Sequence, residues 1–169
     1  MNRQLRITGL LIVFMILGIM NSYSQKNNFT PEYSTIILSN KGKELLNQCS
    51  RAVPEKIENY YDLTANEIQK LENNFRNILE IKSSECCMTG LKIEKLKGYI
   101  FQYTGIVLNG KKYIYINAFK VESKDDLKTY YKDWKTEPVI VCDGGESFWG
   151  ALFELETESF SQLSINGIG

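Results

Sequence analysis

The period of the apolar positions changes along the chain, and each change predicts an element. Thr64 and Glu67 have the spacing of a capping box at the start of a helix. Apolar residues then recur at helical spacing, at Ile68, Leu71, Phe75, Ile78 and Leu79. The sequence therefore predicts an amphipathic helix within residues 63–82 that packs one apolar stripe on a sheet.

Between Tyr99 and Phe119 the apolar period becomes two, which is typical of strands. Asn109-Gly110 in the middle of this stretch predicts a hairpin with a two-residue turn. We expect cross-strand aromatic pairs, because each strand carries aromatic residues on one face: Tyr99, Phe101 and Tyr103, then Tyr113, Tyr115 and Phe119. The other faces carry isoleucines and are unusually apolar for contact with water, so a further element is expected to cover them.

Two shorter segments also have helical spacing. Residues 39–49 predict a first helix with Leu45, Leu46 and Cys49 on one face. Ser123 and Asp126 would cap a short amphipathic helix, and a docked loop with aromatic anchors is the alternative for the same segment.

Three apolar runs, at residues 139–142, 147–155 and 160–165, predict strands after the hairpin. The order of elements predicts an α+β fold. One or two N-terminal helices would pack on one face of an antiparallel meander of about five strands, in a cystatin-like arrangement.

The first 24 residues predict an export signal. Arg3 and Arg6 precede an apolar run, and Ser22-Tyr23-Ser24 offers small residues for cleavage before Gln25. The run is shorter than the roughly 20 apolar residues that a membrane-spanning helix needs. We therefore expect a signal peptide at 1–24 and a single domain at 25–169, periplasmic or secreted, with no membrane segment after cleavage.

The composition narrows the chemistry, because the chain contains no histidine. Catalytic Ser-His-Asp and Cys-His sites and His-ligated zinc are therefore excluded. Signal cleavage would leave 18 basic and 20 acidic residues, a net charge of −2, and the basic residues form no stripe. This charge pattern argues against nucleic acid as a partner. We expect neither a cofactor nor a metal.

Four cysteines are present, at Cys49, Cys86, Cys87 and Cys142. In an exported protein an even number indicates disulfides, with three possible connectivities. A zinc site usually has cysteines separated by about two to four residues, which the adjacent Cys86 and Cys87 do not match. Free buried thiols are the remaining alternative.

The segment VIVCDGGESFWG, residues 139–150, concentrates the candidate site residues. Asp143 with Glu146 or Glu154 would be a pair for glycoside hydrolysis if the carboxyls lie about 5–10 Å apart. Calcium would find only one or two ligands here. A tight turn between two strands is the simpler interpretation, with Gly144 and Gly145 at positive φ and Asp143 accepting bonds from turn amides. The candidate binding residues are Asp143, Glu146 and Trp149.

Several segments together resemble a family of small exported bacterial proteins. They have the forms CSR-x-x-P, Y-x-x-Q-Y-x-G, Y-I-N-x-F and CDGG-x-x-F-W-G, with NG near the C-terminus, and span most of residues 48–169. The resemblance implies export from a bacterium of Gram-negative type and supplies no catalytic residues. It favours a Cys49–Cys142 disulfide, because these cysteines match the motifs and the other two do not. That bridge would close a loop of roughly 90 residues, and Cys86 and Cys87 would pair with each other or remain thiols.

These observations predict a non-enzymatic exported domain that binds a protein partner in the cell envelope, as an inhibitor or immunity protein does. One alternative is a hydrolase that uses Asp143 and Glu146. The other is a carbohydrate- or peptidoglycan-binding module with an exposed aromatic row, for which ten tyrosines and two tryptophans are available.

Overall fold

A computed structural model, which describes residues 28–169, has one mixed β-sheet between two layers of helix and loop. The strands are β1 Tyr33–Ile36, β2 Asn59–Tyr61, β3 Tyr99–Leu108, β4 Lys111–Lys120, β5 Phe148–Glu154 and β6 Ser159–Ile165. The α-helices are α1 Ser39–Leu45, α2 Ala65–Asn74 and α3 Lys124–Thr129, and 3-10 helices span Phe75–Glu80 and Gly145–Ser147. The predicted α+β class is confirmed. The predicted signal peptide lies outside the described residues.

The sheet combines the predicted antiparallel meander with two strands that the pattern did not reveal. β3 to β6 are neighbours in chain order and pair antiparallel. β1 pairs in parallel with the first half of β3, and β2 pairs antiparallel with its second half. Both short strands therefore lie on the same edge of β3, and the sheet is mixed.

The predicted strand at residues 139–142 is wrong, since this segment joins no strand of the sheet. Side chains take its backbone bonds instead. The Val139 amide donates to Gln102 Oε1 at 2.8 Å, and the Val139 carbonyl accepts from Asn117 Nδ2 at 2.9 Å. The Val141 carbonyl accepts from Asn166 Nδ2 at 2.6 Å. The apolar run thus marks a segment docked on the face of the sheet.

The β3–β4 hairpin turns at Asn109 and Gly110, as predicted, with φ of 50° and 71°. Positive φ at both central residues is the signature of a type I′ turn. The register places Tyr103 opposite Ile116 and Tyr115 opposite Thr104, so the expected aromatic cross-strand pairs do not form. Across this two-residue turn, each odd-numbered residue of one strand lies opposite an even-numbered residue of the other. Both aromatic rows have odd numbers, so they lie on opposite faces of the sheet.

Each face of the sheet has its own core, so the expected cover over the second face is present. The larger core packs α2 and the following 3-10 helix against β3 to β6, through residues that include Leu71, Phe75, Phe101, Ile116 and Trp149. On the other face, α1 packs on Ile106 and Tyr115 through Leu45 and Leu46. Trp134 and Val139 cover Ile100 and Phe119 beside it. Helix α1 and the segment after α3 provide this cover.

The predicted capping boxes are present at the N-termini of α2 and α3. The Glu67 amide donates to Thr64 Oγ1 at 3.3 Å, and the Thr64 amide donates to Glu67 Oε2 at 2.8 Å. Ser123 and Asp126 form the same reciprocal box at α3. α1 is shorter than predicted, because it ends at Leu45 and does not reach Cys49. No helix within residues 28–169 is both long and apolar enough to cross a membrane.

Buried tyrosines make the stability of this fold sensitive to alkali. Burial raises the pKa of Tyr99 from 10.0 to about 12, and the Glu146 carboxylate adds to the shift. In the unfolded chain Tyr99 ionises near its ordinary value, so between about pH 10 and 12 the unfolded state binds fewer protons than the folded state. Stability should therefore fall as pH rises through this window. Urea unfolding as a function of pH tests this, and the fall should be shallower for Tyr99→Phe; an identical fall in both proteins contradicts it.

Candidate functional site

A buried arginine organises the end of the molecule where the candidate residues lie. Arg51 is only 5% exposed. Its Nη1 donates to Asn166 Oδ1 at 3.1 Å, and its Nη2 donates to the Tyr115 hydroxyl at 3.1 Å and to Asn117 Oδ1. No carboxylate among residues 28–169 forms an ion pair with Arg51. Neutral amide and hydroxyl oxygens therefore accept the hydrogen bonds of both Nη atoms, and the buried Nε has no partner among the described residues.

Gly150 leaves space for the Arg51 guanidinium close to the sheet. A Cβ at position 150 would stand 2.8 Å from the Tyr115 hydroxyl and 3.1 Å from Arg51 Nε. Either distance is too short for ordinary contact. The sheet surface at β5 therefore has to lack a side chain where the arginine crosses it.

Two amide side chains extend the network along the sheet. Asn117 Nδ2 donates to Gln102 Oε1 at 2.9 Å, and Gln102 Nε2 donates to the carbonyls of Trp134 and Glu137 at 2.6 and 2.7 Å. Gln102 is fully buried, and Asn117 is 2% exposed. These amides fasten the segment after α3 to the face of the sheet, which explains why that segment needs no partner strand.

Asn166 connects the buried network to an exposed loop. Its Nδ2 donates to the carbonyls of Val141 and Asp143, at 2.6 and 3.1 Å, while its Oδ1 accepts from Arg51. The Gly145 amide donates to the Gly167 carbonyl at 3.0 Å. We call residues 140–146 the tethered loop. Hydrogen bonds therefore hold its backbone at residues 141, 143 and 145.

A disulfide adds a covalent attachment to the tethered loop. Cys49 and Cys142 are bonded, with their Cα atoms 4.9 Å apart, as the resemblance implied. Both cysteines are exposed, which corrects the expectation that Cys49 lies on an apolar helix face and Cys142 in a buried strand. Cys86 and Cys87 are bonded to each other and are also exposed. Residues 28–169 contain no free cysteine.

The glycine pair shapes the loop as predicted, although it does not join two paired strands. Gly144 and Gly145 have φ of 88° and 52°, in the left-handed region. The Phe148 ring covers Gly144 so closely that a Cβ there would lie 2.5 Å from it. Within the described residues the Asp143 carboxylate accepts no bond from the turn amides; it lies against Gly169 instead. Gly144 therefore contributes both conformation and space, and the turn role of Asp143 is a wrong prediction.

The structure separates the three candidate binding residues. Trp149 is fully buried in the larger core, between Tyr99 and Phe101, and is therefore not a surface residue. Asp143 and Glu146 are exposed on the tethered loop. Glu146 lines a small cleft of about 100 Å³, whereas Asp143 faces the C-terminus. The other residues of that cleft are Lys92, Ile93, Glu94, Lys95, Tyr99 and Lys120. The fold therefore does not bring Asp143 and Glu146 together in one cleft.

Glu154, the other carboxylate considered, lies at the far end of β5 from the tethered loop. Its Oε1 is 2.6 Å from Lys111 Nζ, an ion pair near the hairpin turn. The Lys111 side chain lowers the pKa of Glu154, chiefly through that hydrogen bond. Glu154 is thus a partner of Lys111 and has no role beside Asp143.

Larger clefts adjoin the tethered loop on the side of α3. One, of about 510 Å³, is lined by Lys120, Val121, Glu122, Asp126, Tyr130, Tyr131, Gly144, Ser147 and Phe148. A second, of about 310 Å³, shares Tyr130 and Tyr131 with it and extends to Ile140. In the described part of the chain, no three cysteine, aspartate or glutamate side chains group closely enough to hold a metal ion.

The motifs that carry the family resemblance meet in this one region. Arg51, Gln102, Tyr115, Asn117, Gly150 and Asn166 all belong to them and all take part in the buried network. Sequence reasoning missed this role, although two amides within otherwise apolar strands were a visible signal for it. Comparisons with family models, curated proteins and solved structures found no match.

Proposed function

We propose that this chain is an exported, non-enzymatic binding domain that recognises a protein partner through the tethered loop, as inhibitor or immunity proteins do. The observation that carries the proposal is the way the loop is built. An exposed backbone segment is held by one disulfide and by three hydrogen bonds, two from Asn166 and one to Gly167.

A loop fixed in this way is suited to binding. Association costs free energy for every segment that must be ordered, and a loop already held in its bound conformation avoids most of that cost. The loop exposes Asp143 and Glu146, and Ile140 is 37% exposed at its start. It therefore offers a partner two carboxylates and an apolar side chain on a rigid support.

The placement of the acidic residues favours binding over hydrolysis. Glycoside hydrolysis needs two carboxyls facing one sugar, with one of them kept protonated by an apolar environment. Asp143 and Glu146 face different surroundings and are both exposed. Asp143 and Glu146 therefore do not form the facing pair that this hydrolysis requires.

Affinity capture with the mature chain, residues 25–169, on envelope extract of the source bacterium tests the proposal. The partner is then purified and its Kd measured against Ile140→Glu and Asp143→Arg, with Leu38→Glu as the matched control. Leu38 is 57% exposed and lies outside the loop. Both loop variants should weaken binding about tenfold or more, while the control binds normally.

Two outcomes would contradict the binding proposal. Loop variants that keep their melting temperature and bind as tightly as the control would place the interface elsewhere. A turnover of any glycoside substrate that Asp143→Asn and Glu146→Gln abolish would replace the binding proposal with the hydrolase alternative.

A further inference from the structure

Tyr130 lies on a ridge between two adjoining clefts. It lines both the cleft of about 510 Å³ beside the tethered loop and the cleft of about 310 Å³ that reaches Pro138 and Ile140. Its side chain is 77% exposed, and every other aromatic side chain within residues 28–169 is buried or half-buried. We call the two clefts and the ridge the Tyr130 groove. Its division into two parts fits a ligand made of repeating units.

The lining of the Tyr130 groove combines aromatic rings with polar groups. Tyr131 and Phe148 add two half-buried rings to Tyr130, and Tyr131 is braced by the Phe119 ring at 5.3 Å. Ser147 offers a hydroxyl group, and Glu122 and Asp126 offer carboxylate acceptors. Aromatic faces carry negative charge, so they attract the C–H groups on the flat side of a sugar ring, while carboxylates accept bonds from its hydroxyls.

We infer that the Tyr130 groove binds a neutral, β-linked oligosaccharide, with one sugar ring on Tyr130 and its neighbours in the two clefts. A β-1,4-linked chain is flat and presents successive C–H faces, which matches a groove with rings on both sides of a ridge. Each unit also carries hydroxyls along its edge, where Glu122, Asp126 and Ser147 lie.

The charges of the lining select against acidic sugars. The larger cleft contains one cation, Lys120, and two anions, Glu122 and Asp126. The smaller cleft contains Lys132 against Asp133 and Glu137. In the smaller cleft Glu137 is paired with Lys41. A ligand with a carboxylate on each unit would therefore meet a net negative lining in the larger cleft, which weakens its binding. A neutral chain meets no such repulsion.

This inference does not rest on the protein partner proposed above. Tyr130 lies outside the tethered loop, and the ligand belongs to a different chemical class. Ile140 lines the smaller cleft and Asp143 lines neither cleft. Asp143→Arg and the Tyr130 variants therefore report on separate proposals, and either proposal stands if the other fails.

Calorimetric titration of the mature chain with cellotetraose and with chitotetraose tests the inference, and tetragalacturonate serves as the anionic comparison. We expect at least one neutral tetramer to bind with a Kd below about 1 mM, and the anionic tetramer to bind about tenfold more weakly or not at all. Tyr130→Ala should weaken binding about tenfold, and Tyr130→Phe should preserve it, because stacking needs the ring and not the hydroxyl. The exposed position of Tyr130 keeps both variants folded.

Leu38→Ala is the control for loss of an exposed apolar side chain and should bind as the unaltered chain does. Three results overturn the inference: neither neutral tetramer binds, the anionic tetramer binds more tightly than both, or Tyr130→Ala leaves the Kd unchanged.

Discussion

Removal of the Cys49–Cys142 disulfide should lower the free energy of unfolding by roughly 4–5 kcal/mol in the chain-entropy description. The two cysteines are 93 positions apart, so their bond restricts most of the unfolded chain. That loss is a large share of the 5–15 kcal/mol that stabilises an ordinary domain. Urea unfolding of a Cys49→Ser, Cys142→Ser double variant measures the effect, and Cα atoms only 4.9 Å apart leave room for both serines.

The second disulfide provides the matched control. Cys86 and Cys87 are adjacent, so their bond closes almost no chain, and the corresponding double serine variant should lose far less stability. If the two double variants were equally stable, the entropy of the long loop would not be the source of the effect. The Cys49 and Cys142 variant should also bind the proposed protein partner more weakly, because the tethered loop loses its covalent attachment.

Replacement of Arg51 by Met should destabilise the protein by about 3–5 kcal/mol. The change removes the donor for three buried acceptors, on Asn166, Tyr115 and Asn117. Each buried polar group left without a partner costs about 1–3 kcal/mol, and partial rearrangement keeps the sum below the simple total. Thermal and urea unfolding give the magnitude.

Arg51→Lys is the informative second variant, because it keeps the charge and removes the fork. A single ammonium nitrogen cannot reach acceptors that two guanidinium nitrogens serve, so we expect a loss close to that of Arg51→Met. Arg76→Ala, at an exposed position of the 3-10 helix, should change stability by less than about 0.5 kcal/mol. Full stability in Arg51→Lys would mean that charge, and not hydrogen-bond geometry, is what the network requires.

The predictions that held depend on interactions over a few residues. The capping boxes at Thr64 and Ser123 join residues three positions apart. The type I′ turn at Asn109 and Gly110 depends on which residues tolerate positive φ. In each case the residues that make the signal also make the contact, so the sequence contains the whole cause.

The predictions that failed depend on partners far along the chain. Residues 139–142 read as a strand because they are apolar, and only the distant side chains of Gln102, Asn117 and Asn166 make a strand partner unnecessary. Trp149 is a candidate binding residue by its place next to a glycine turn, but it is fully buried against Tyr99 and Phe101 of β3. Apolar character indicates burial and leaves open which neighbour provides it.

By itself the sequence determined the α+β class, the hairpin, the capped helices and the lack of histidine chemistry, since these follow from local spacing and composition. Tertiary structure alone decided that Arg51, Gln102, Asn117 and Asn166 converge under the tethered loop. These residues come from four separate segments, and their hydrogen bonds exist only after the sheet has brought those segments together. The same assembly places Asp143 beside Gly169 and Glu146 in the cleft with Tyr99.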